Sequence, residues 1–109
     1  MRFRIPIKLP SLANMSHLHW RRLAKLAKDQ KLATYLSIRG KPIPPLPLLI
    51  TITRVGPRKL DDDNLASACK YVRDEIADAV GEDDGSEQFT WMYEQRMGEY
   101  GVEVEITSR

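Results

Sequence analysis

The chain has 109 residues, a formal net charge of +2 and a single cysteine, Cys69. This length predicts one domain, residues 1–109, and the lone cysteine excludes an intrachain disulfide. No signal-peptide stretch opens the sequence and the longest apolar run, 46–50, is too short to cross a bilayer, so we expect a cytoplasmic protein without a membrane partner.

The charge is divided unevenly along the chain. Residues 1–60 carry 13 Lys and Arg against one acid, whereas residues 61–109 carry 4 against 14. Such asymmetry favours a basic binding surface beside an acidic site, which would suit a phosphate backbone and a bridging metal. The alternative is that the two halves neutralise each other within the fold.

The first third predicts a strand and a helix. Apolar and basic residues alternate over 3–9, which indicates a half-buried strand, and Pro6 favours a position at a sheet edge. Ser16 is a plausible cap for a helix running to about Ile38, and Gly40 would end it. Trp20 and Trp91 are expected in the core of the protein rather than as base-stacking surfaces.

The remainder predicts three strands and a second helix. Residues 48–55 are apolar on both faces, as in a central strand. Apolar residues at helical spacing over 65–80 predict one helix, with Asp63 or Asn64 as its cap and Gly81 after its end. Strands 89–95 and 102–107 would form a hairpin. The order β-α-β-α-β-β predicts a small α/β (α+β) domain with a mixed sheet and two main helices.

Two acidic clusters flank the second predicted helix. Asp61 and Asp63 would point the same way from an extended stretch, and Asp83 and Asp84 follow the helix. Mg²⁺ is held by oxygen ligands and needs only one or two carboxylates beside water and phosphate, so the clusters predict a Mg²⁺ site. The alternatives are an ordinary helix cap for the first cluster and an exposed turn for the second.

Basic residues surround this predicted metal site. Lys70 lies on the same helix side as Ser67 and could neutralise charge in a transition state, or could simply pair with Asp74 in solvent. Further cations precede the aspartates and predict contacts with DNA phosphates: Arg21, Arg22, Lys25, Lys28, Arg54, Arg58 and Lys59. Arg2, Arg4 and Lys8 could instead pair across strands with Glu103 and Glu105.

These residues resemble the RusA family of Holliday junction resolvases, in the form common in phages and prophages. The similarity covers most of the chain in the same order. The matching residues are Asn14, Trp20-Arg21, the run from Leu60 to Leu65, Lys70, Asp74 and Asp83-Asp84.

The resemblance implies a homodimeric, Mg²⁺-dependent endonuclease that cuts four-way DNA junctions in recombination and repair. Asp61 and Asp63 match the aspartates of the family's Asp-x-Asp-Asn motif, and Asp84 matches its later metal ligand, with Asp83 as the neighbouring possibility. Asn14 would join the DNA-binding residues. The family lysine often stands four residues after the second aspartate, where this chain has Ser67; Lys70 would take its catalytic role.

Two other hypotheses stand beside the active nuclease. A branched-DNA-binding protein could keep the fold and the basic surface without cleavage. An acidic-turn scaffold protein would have no nucleic-acid role.

Overall fold

The computed structural model describes residues 1–12 and 20–109. The predicted cap Ser16 and the predicted DNA contact Asn14 lie outside these ranges. Seven elements follow in chain order: β1 Arg2–Ile5, α1 Trp20–Ile38, β2 Leu48–Gly56, α2 Asp62–Ala68, α3 Lys70–Val80, β3 Phe89–Met97 and β4 Gly101–Ser108.

The four strands form one mixed sheet in the order β1-β4-β2-β3. β2 is parallel to β3, whereas β4 is antiparallel to both of its neighbours. The predicted α+β class and mixed sheet are confirmed, as are the interior position of β2 and the edge position of β1. The predicted hairpin is wrong, because β2 lies between β3 and β4 and pairs with both. β1 ends at Ile5, before Pro6, so the first strand is shorter than predicted.

The core lies between one face of the sheet and the helices. Ile50 and Ile52 of β2 are fully buried, as are Val72 and Ile76 of α3. Burying each such side chain contributes roughly 1.5–3 kcal/mol, so this layer supplies much of the stability. Cys69 belongs to the same core, and burial raises the pKa of its thiol to about 12, which makes it unreactive at neutral pH.

The opposite face of the sheet is polar. Arg2 forms an ion pair with Glu105. Glu103 accepts a hydrogen bond from Arg96, and its Oε1 lies 3.9 Å from Arg4 Nη1. The cross-strand pairing considered for Arg2 and Arg4 therefore occurs. Exposed pairs of this kind contribute little stability, about 0–1 kcal/mol each.

The prediction of one continuous helix over residues 65–80 is wrong. The chain leaves helical geometry at Cys69, with φ −87° and ψ 0°, and forms α2 and α3 instead. The break lets α2 pack on β3 while α3 packs on α1, which a single straight helix could not do. Gly81 ends α3 in the left-handed conformation at φ 89°, as predicted.

Helix α1 packs through Gln30, Thr34 and Ile38, and Gly40 follows it with a positive φ of 75°. The prediction that Trp20 lies in the core is wrong, because the residue is 67% exposed. The buried residues of α1 lie nearer its other end. None of the helices within the described ranges is both long and apolar enough to span a membrane.

Candidate active site

The first acidic segment begins where Leu60 is fixed to β3. The Leu60 amide donates to Gln95 Oε1 at 2.8 Å, and Gln95 Nε2 donates to the Leu60 carbonyl at 2.7 Å. Asp61 is the N-cap of α2, but its side chain makes no capping hydrogen bond. The caps predicted at Asp63 or Asn64 are wrong because α2 begins earlier, at Asp62.

Asp61, Asp62 and Asp63 are all exposed. Asp62 and Asp63 occupy the first turn of α2, where the positive end of the helix dipole favours negative charge. The carboxylates of this segment are therefore accessible to a cation.

The second acidic segment is tied down by side chains from two elements. Arg73 of α3 places Nε 3.4 Å from Asp84 Oδ2 and donates from Nη2 to the Asp84 carbonyl at 3.1 Å. Trp91 of β3 donates from Nε1 to the same carbonyl at 2.9 Å. The neighbouring Asp83 accepts the Gly85 amide at 3.2 Å. Asp84 is thus held between α3 and β3.

Asp83 and Asp84 influence each other's ionisation. The Gly85 amide, followed by the hydrogen bond with Asp84, lowers the pKa of Asp83. The hydrogen bond with Asp83 and burial raise the pKa of Asp84, with a further contribution from Asp74 and opposition from Arg73. The two shifts are opposite in direction, so Asp84 is the carboxylate of the pair that binds a proton more readily.

A cleft of about 320 Å³ opens beside Asp84. Its lining brings Lys70 and Asp84 together and places Lys70 beside Ser67, as the spacing predicted. Among the described residues Lys70 has no carboxylate partner, and its ammonium group lies 5.8 Å from the Tyr71 ring centroid. The pairing considered with Asp74 is absent. The lining residues are Ala66, Ser67, Lys70, Arg73, Asp84 and Tyr93.

The two acidic segments do not converge on one point. Within residues 1–12 and 20–109, no three His, Cys, Asp or Glu side chains are grouped to hold a metal ion. The expected gathering of Asp61, Asp63, Asp83 and Asp84 in a single cage is therefore not formed within one subunit. The paired carboxylates still fit Mg²⁺, because that ion takes one or two protein oxygens and completes its shell with water and phosphate.

The predicted basic surface is mostly accessible. Arg21, Arg22, Lys25 and Lys28 are exposed on α1, where Lys25 also pairs with Asp29 at 2.8 Å. Arg58 and Lys59 are exposed before the first acidic segment.

Arg54 is the exception, and its predicted contact with DNA is wrong. The side chain is on the helix-covered face of β2 and the residue is only 5% exposed. Its guanidinium donates to the Leu9 carbonyl at 2.7 Å and to the Arg58 carbonyl at 2.8 Å. Arg54 therefore fixes the backbone leading to the aspartates instead of facing solvent.

Four site residues were missed in the sequence. Arg73 was passed over as an ordinary helix residue, although it contacts Asp84, Trp91 and Tyr93. The sequence places Tyr93 and Gln95 only in a strand, and it predicts Trp91 only as a core residue, which agrees with its packing against the core. Their alternation within the run Trp-Met-Tyr-Glu-Gln was the available signal, because alternate residues of a strand share one face.

Comparisons with models of protein families, with curated proteins and with solved structures find no match for this chain.

Proposed function

We propose that the protein is a Mg²⁺-dependent, structure-selective endodeoxyribonuclease that cuts phosphodiester bonds at four-way DNA junctions. The observation that carries the proposal is the cleft in which Lys70 and Arg73 lie beside the Asp84 carboxylate. The Asp61–Asp63 segment is fixed to the same strand, β3, through Leu60 and Gln95. Cations beside accessible carboxylates are the groups that phosphodiester hydrolysis requires.

Three side chains of the cleft, Lys70, Tyr93 and Asp84, contribute directly to this chemistry. The Lys70 ammonium binds a non-bridging phosphate oxygen and offsets the charge that develops during attack. The Tyr93 hydroxyl accepts Arg73 Nη1 at 2.7 Å, so its own proton is free to donate to the substrate. Asp84, with Asp61 and Asp63, supplies the oxygens that would hold Mg²⁺. When bound, that ion supplies Lewis acidity and lowers the pKa of water.

The basic surface supports a substrate with a phosphate backbone. Six accessible cations were predicted to contact DNA, namely Arg21, Arg22, Lys25, Lys28, Arg58 and Lys59. If all six contacted phosphates, log K would fall against log salt with a slope of about −5. A single-copy enzyme would nick one strand, so symmetric cutting of a junction requires a homodimer with two equivalent sites.

Cleavage of a labelled four-way junction in the presence of Mg²⁺ tests the proposal. We expect junction cutting by the wild-type protein, little cutting of a linear duplex of the same sequence, and at least about a 100-fold loss of rate in Asp63→Asn. Asp62→Asn, in the same exposed turn, is the matched control and should retain activity. Wild-type protein that leaves the junction intact at every Mg²⁺ concentration would contradict the proposal.

A branched-DNA-binding protein without cleavage is the second candidate. It is favoured by the separation of the two acidic segments, since no three potential ligands are grouped in the described part of one subunit. Junction binding that is unchanged in Asp63→Asn, with no cutting in either protein, would support this alternative.

A further inference from the structure

We propose that Trp91, Tyr93 and Gln95 form a positioning row on β3 that sets the separation of the two acidic segments. This inference rests on the proposed function, because it assigns residues that hold the site of that nuclease. The three side chains share the helix-facing side of the strand, and each contacts a different part of the site.

The row contacts the site at three successive places. Trp91 holds the Asp84 carbonyl at 2.9 Å, and Tyr93 accepts Arg73 at 2.7 Å. Gln95 binds the amide and carbonyl of Leu60, immediately before Asp61. The order along β3 is therefore the second acidic segment, the cleft with its cations, and the first acidic segment.

The neighbouring strand makes this row rigid. In the parallel register, Trp91, Tyr93 and Gln95 lie beside Ile50, Ile52 and Arg54 of β2. Ile50 and Ile52 are fully buried, and Arg54 is nearly so. Arg54 also binds the Arg58 carbonyl, so the approach to Asp61 is held by adjacent residues of two strands.

Strand geometry gives the spacing. A parallel strand rises about 3.3 Å per residue, so Trp91 and Gln95 are separated by roughly 13 Å. In this proposal Asp84 and the Asp61–Asp63 segment would act on a hydrated cation and a phosphate from opposite ends of the row, consistent with Mg²⁺ keeping several of its waters. The row thus explains how two segments that do not converge could still act on one phosphodiester.

Arg73 joins the row to the second acidic segment. Its guanidinium lies 4.9 Å from the Trp91 ring centroid, and the same group contacts Asp84 and Tyr93. A change at Tyr93 would therefore be transmitted to Asp84 through Arg73, whereas a change at Gln95 would act on Asp61 through Leu60.

The test measures Mg²⁺ binding without DNA by the fluorescence of Trp91. In a Trp20→Phe background Trp91 is the only tryptophan, and it contacts the backbone of Asp84 directly. Gln95→Leu and Tyr93→Phe should each raise the Mg²⁺ concentration at half-saturation by about 10-fold or more, the usual effect of removing a partner that orients a ligand. Glu94→Gln, on the opposite face of β3, should leave it unchanged.

Junction cleavage by the same variants separates this inference from the nuclease proposal. If the wild-type protein cuts and Gln95→Leu keeps wild-type Mg²⁺ half-saturation, the positioning row is wrong and the nuclease stands. If no junction is cut but Gln95→Leu shifts the fluorescence titration, the row stands and the nuclease is wrong. A Trp91 signal that does not respond to Mg²⁺ in the Trp20→Phe protein overturns the row.

Urea unfolding without Mg²⁺ identifies a purely structural effect. At a temperature where each variant is fully folded, lost stability alone would leave the Mg²⁺ half-saturation at its wild-type value. A shift in half-saturation with the folded state intact supports positioning.

Discussion

The two acidic segments of the molecule differ in how they are held. Asp61 and Asp63 are exposed, and the segment is fixed through the backbone of Leu60. Asp84 is instead held directly, by Arg73 at its carboxylate and by Arg73 and Trp91 at its carbonyl. One segment presents exposed carboxylates on a fixed backbone, and the other presents Asp84, whose charge is partly compensated by Arg73.

Because they are held differently, the two acidic segments should respond unequally to the loss of a partner. A cation arriving at the first segment meets carboxylates that have no hydrogen-bonded or ion-paired side chain among residues 1–12 and 20–109 to displace. At the second, it competes with the Arg73 guanidinium, and the hydrogen bond with Asp83 raises the pKa of Asp84. The second segment should therefore be more sensitive to mutation of its surroundings.

Arg73→Met should release Asp84 of the second acidic segment and have the largest effect on the free energy of unfolding. It removes the ion pair with Asp84 and the bond to Tyr93 while keeping an apolar stem against Trp91, so we expect a loss of about 2 kcal/mol in the free energy of unfolding by urea. Arg96→Met removes an exposed pair with Glu103 on the other face and should cost less than about 1 kcal/mol. Equal losses in the two variants would show that Asp84 is not held by Arg73.

Mg²⁺ should stabilise the wild-type fold, and the loss of this effect in variants would show which acidic segment binds the ion. At ten times the dissociation constant, binding to the native state alone adds about 1.4 kcal/mol, measurable as a higher melting temperature. Asp84→Asn should abolish most of this gain, and Asp62→Asn should preserve it. An undiminished gain in Asp84→Asn would place the ion away from the second segment.

Gly81→Ala tests whether the turn before Asp83 is set by backbone geometry. Gly81 has φ 89°, where a Cβ is strained, so alanine should cost about 1 kcal/mol in urea unfolding. Gly85→Ala, in the same loop, meets nothing closer than an Asp83 carboxylate oxygen at 4.0 Å and should be close to neutral. Comparable losses at both glycines would contradict this explanation.

Glu75→Gln should have the smallest effect, and its sign depends on pH. Burial, followed by Asp78, raises the pKa of Glu75, while Lys31 of α1 opposes the shift; Arg39 lines the adjoining cleft. The pKa of Glu75 is therefore higher in the folded state than in the unfolded state. Its contribution to stability is complete at low pH and is lost as the pH rises from the unfolded pKa through the folded pKa.

The variant should therefore gain about 0.5 kcal/mol or less at pH 7 and nothing at pH 3, measured by urea unfolding. A gain of equal size at pH 3 would exclude ionisation as the cause.

The sequence predicted the fold well where one local pattern determined the outcome. The apolar run of β2 indicated an interior strand, and Gly81 indicated the end of α3, because burial and a positive φ each leave a direct signal. The break at Cys69 left no such signal. It arises because α2 and α3 pack on different partners, and the apolar spacing continues through it.

The carboxylates of the candidate site are visible in the sequence, but the side chains that hold them are not. Asp61, Asp63 and Asp84 are conspicuous as acidic clusters, and Lys70 does meet Asp84 in one cleft. Arg54 was misplaced because its charge suggested solvent, whereas two backbone carbonyls satisfy it inside the protein. Gln95 and Arg73 were missed because their partners are backbone groups and distant residues, which composition and spacing do not reveal.

The alternation of β3 has a consequence for how this chain can change. Deleting or inserting a single residue within the strand would slip its register and present Met92, Glu94 and Arg96 to the helices in place of Trp91, Tyr93 and Gln95. Length variation among descendants of this sequence should therefore avoid the strand and collect in the turn 98–100, where the count of residues does not decide which way a side chain points.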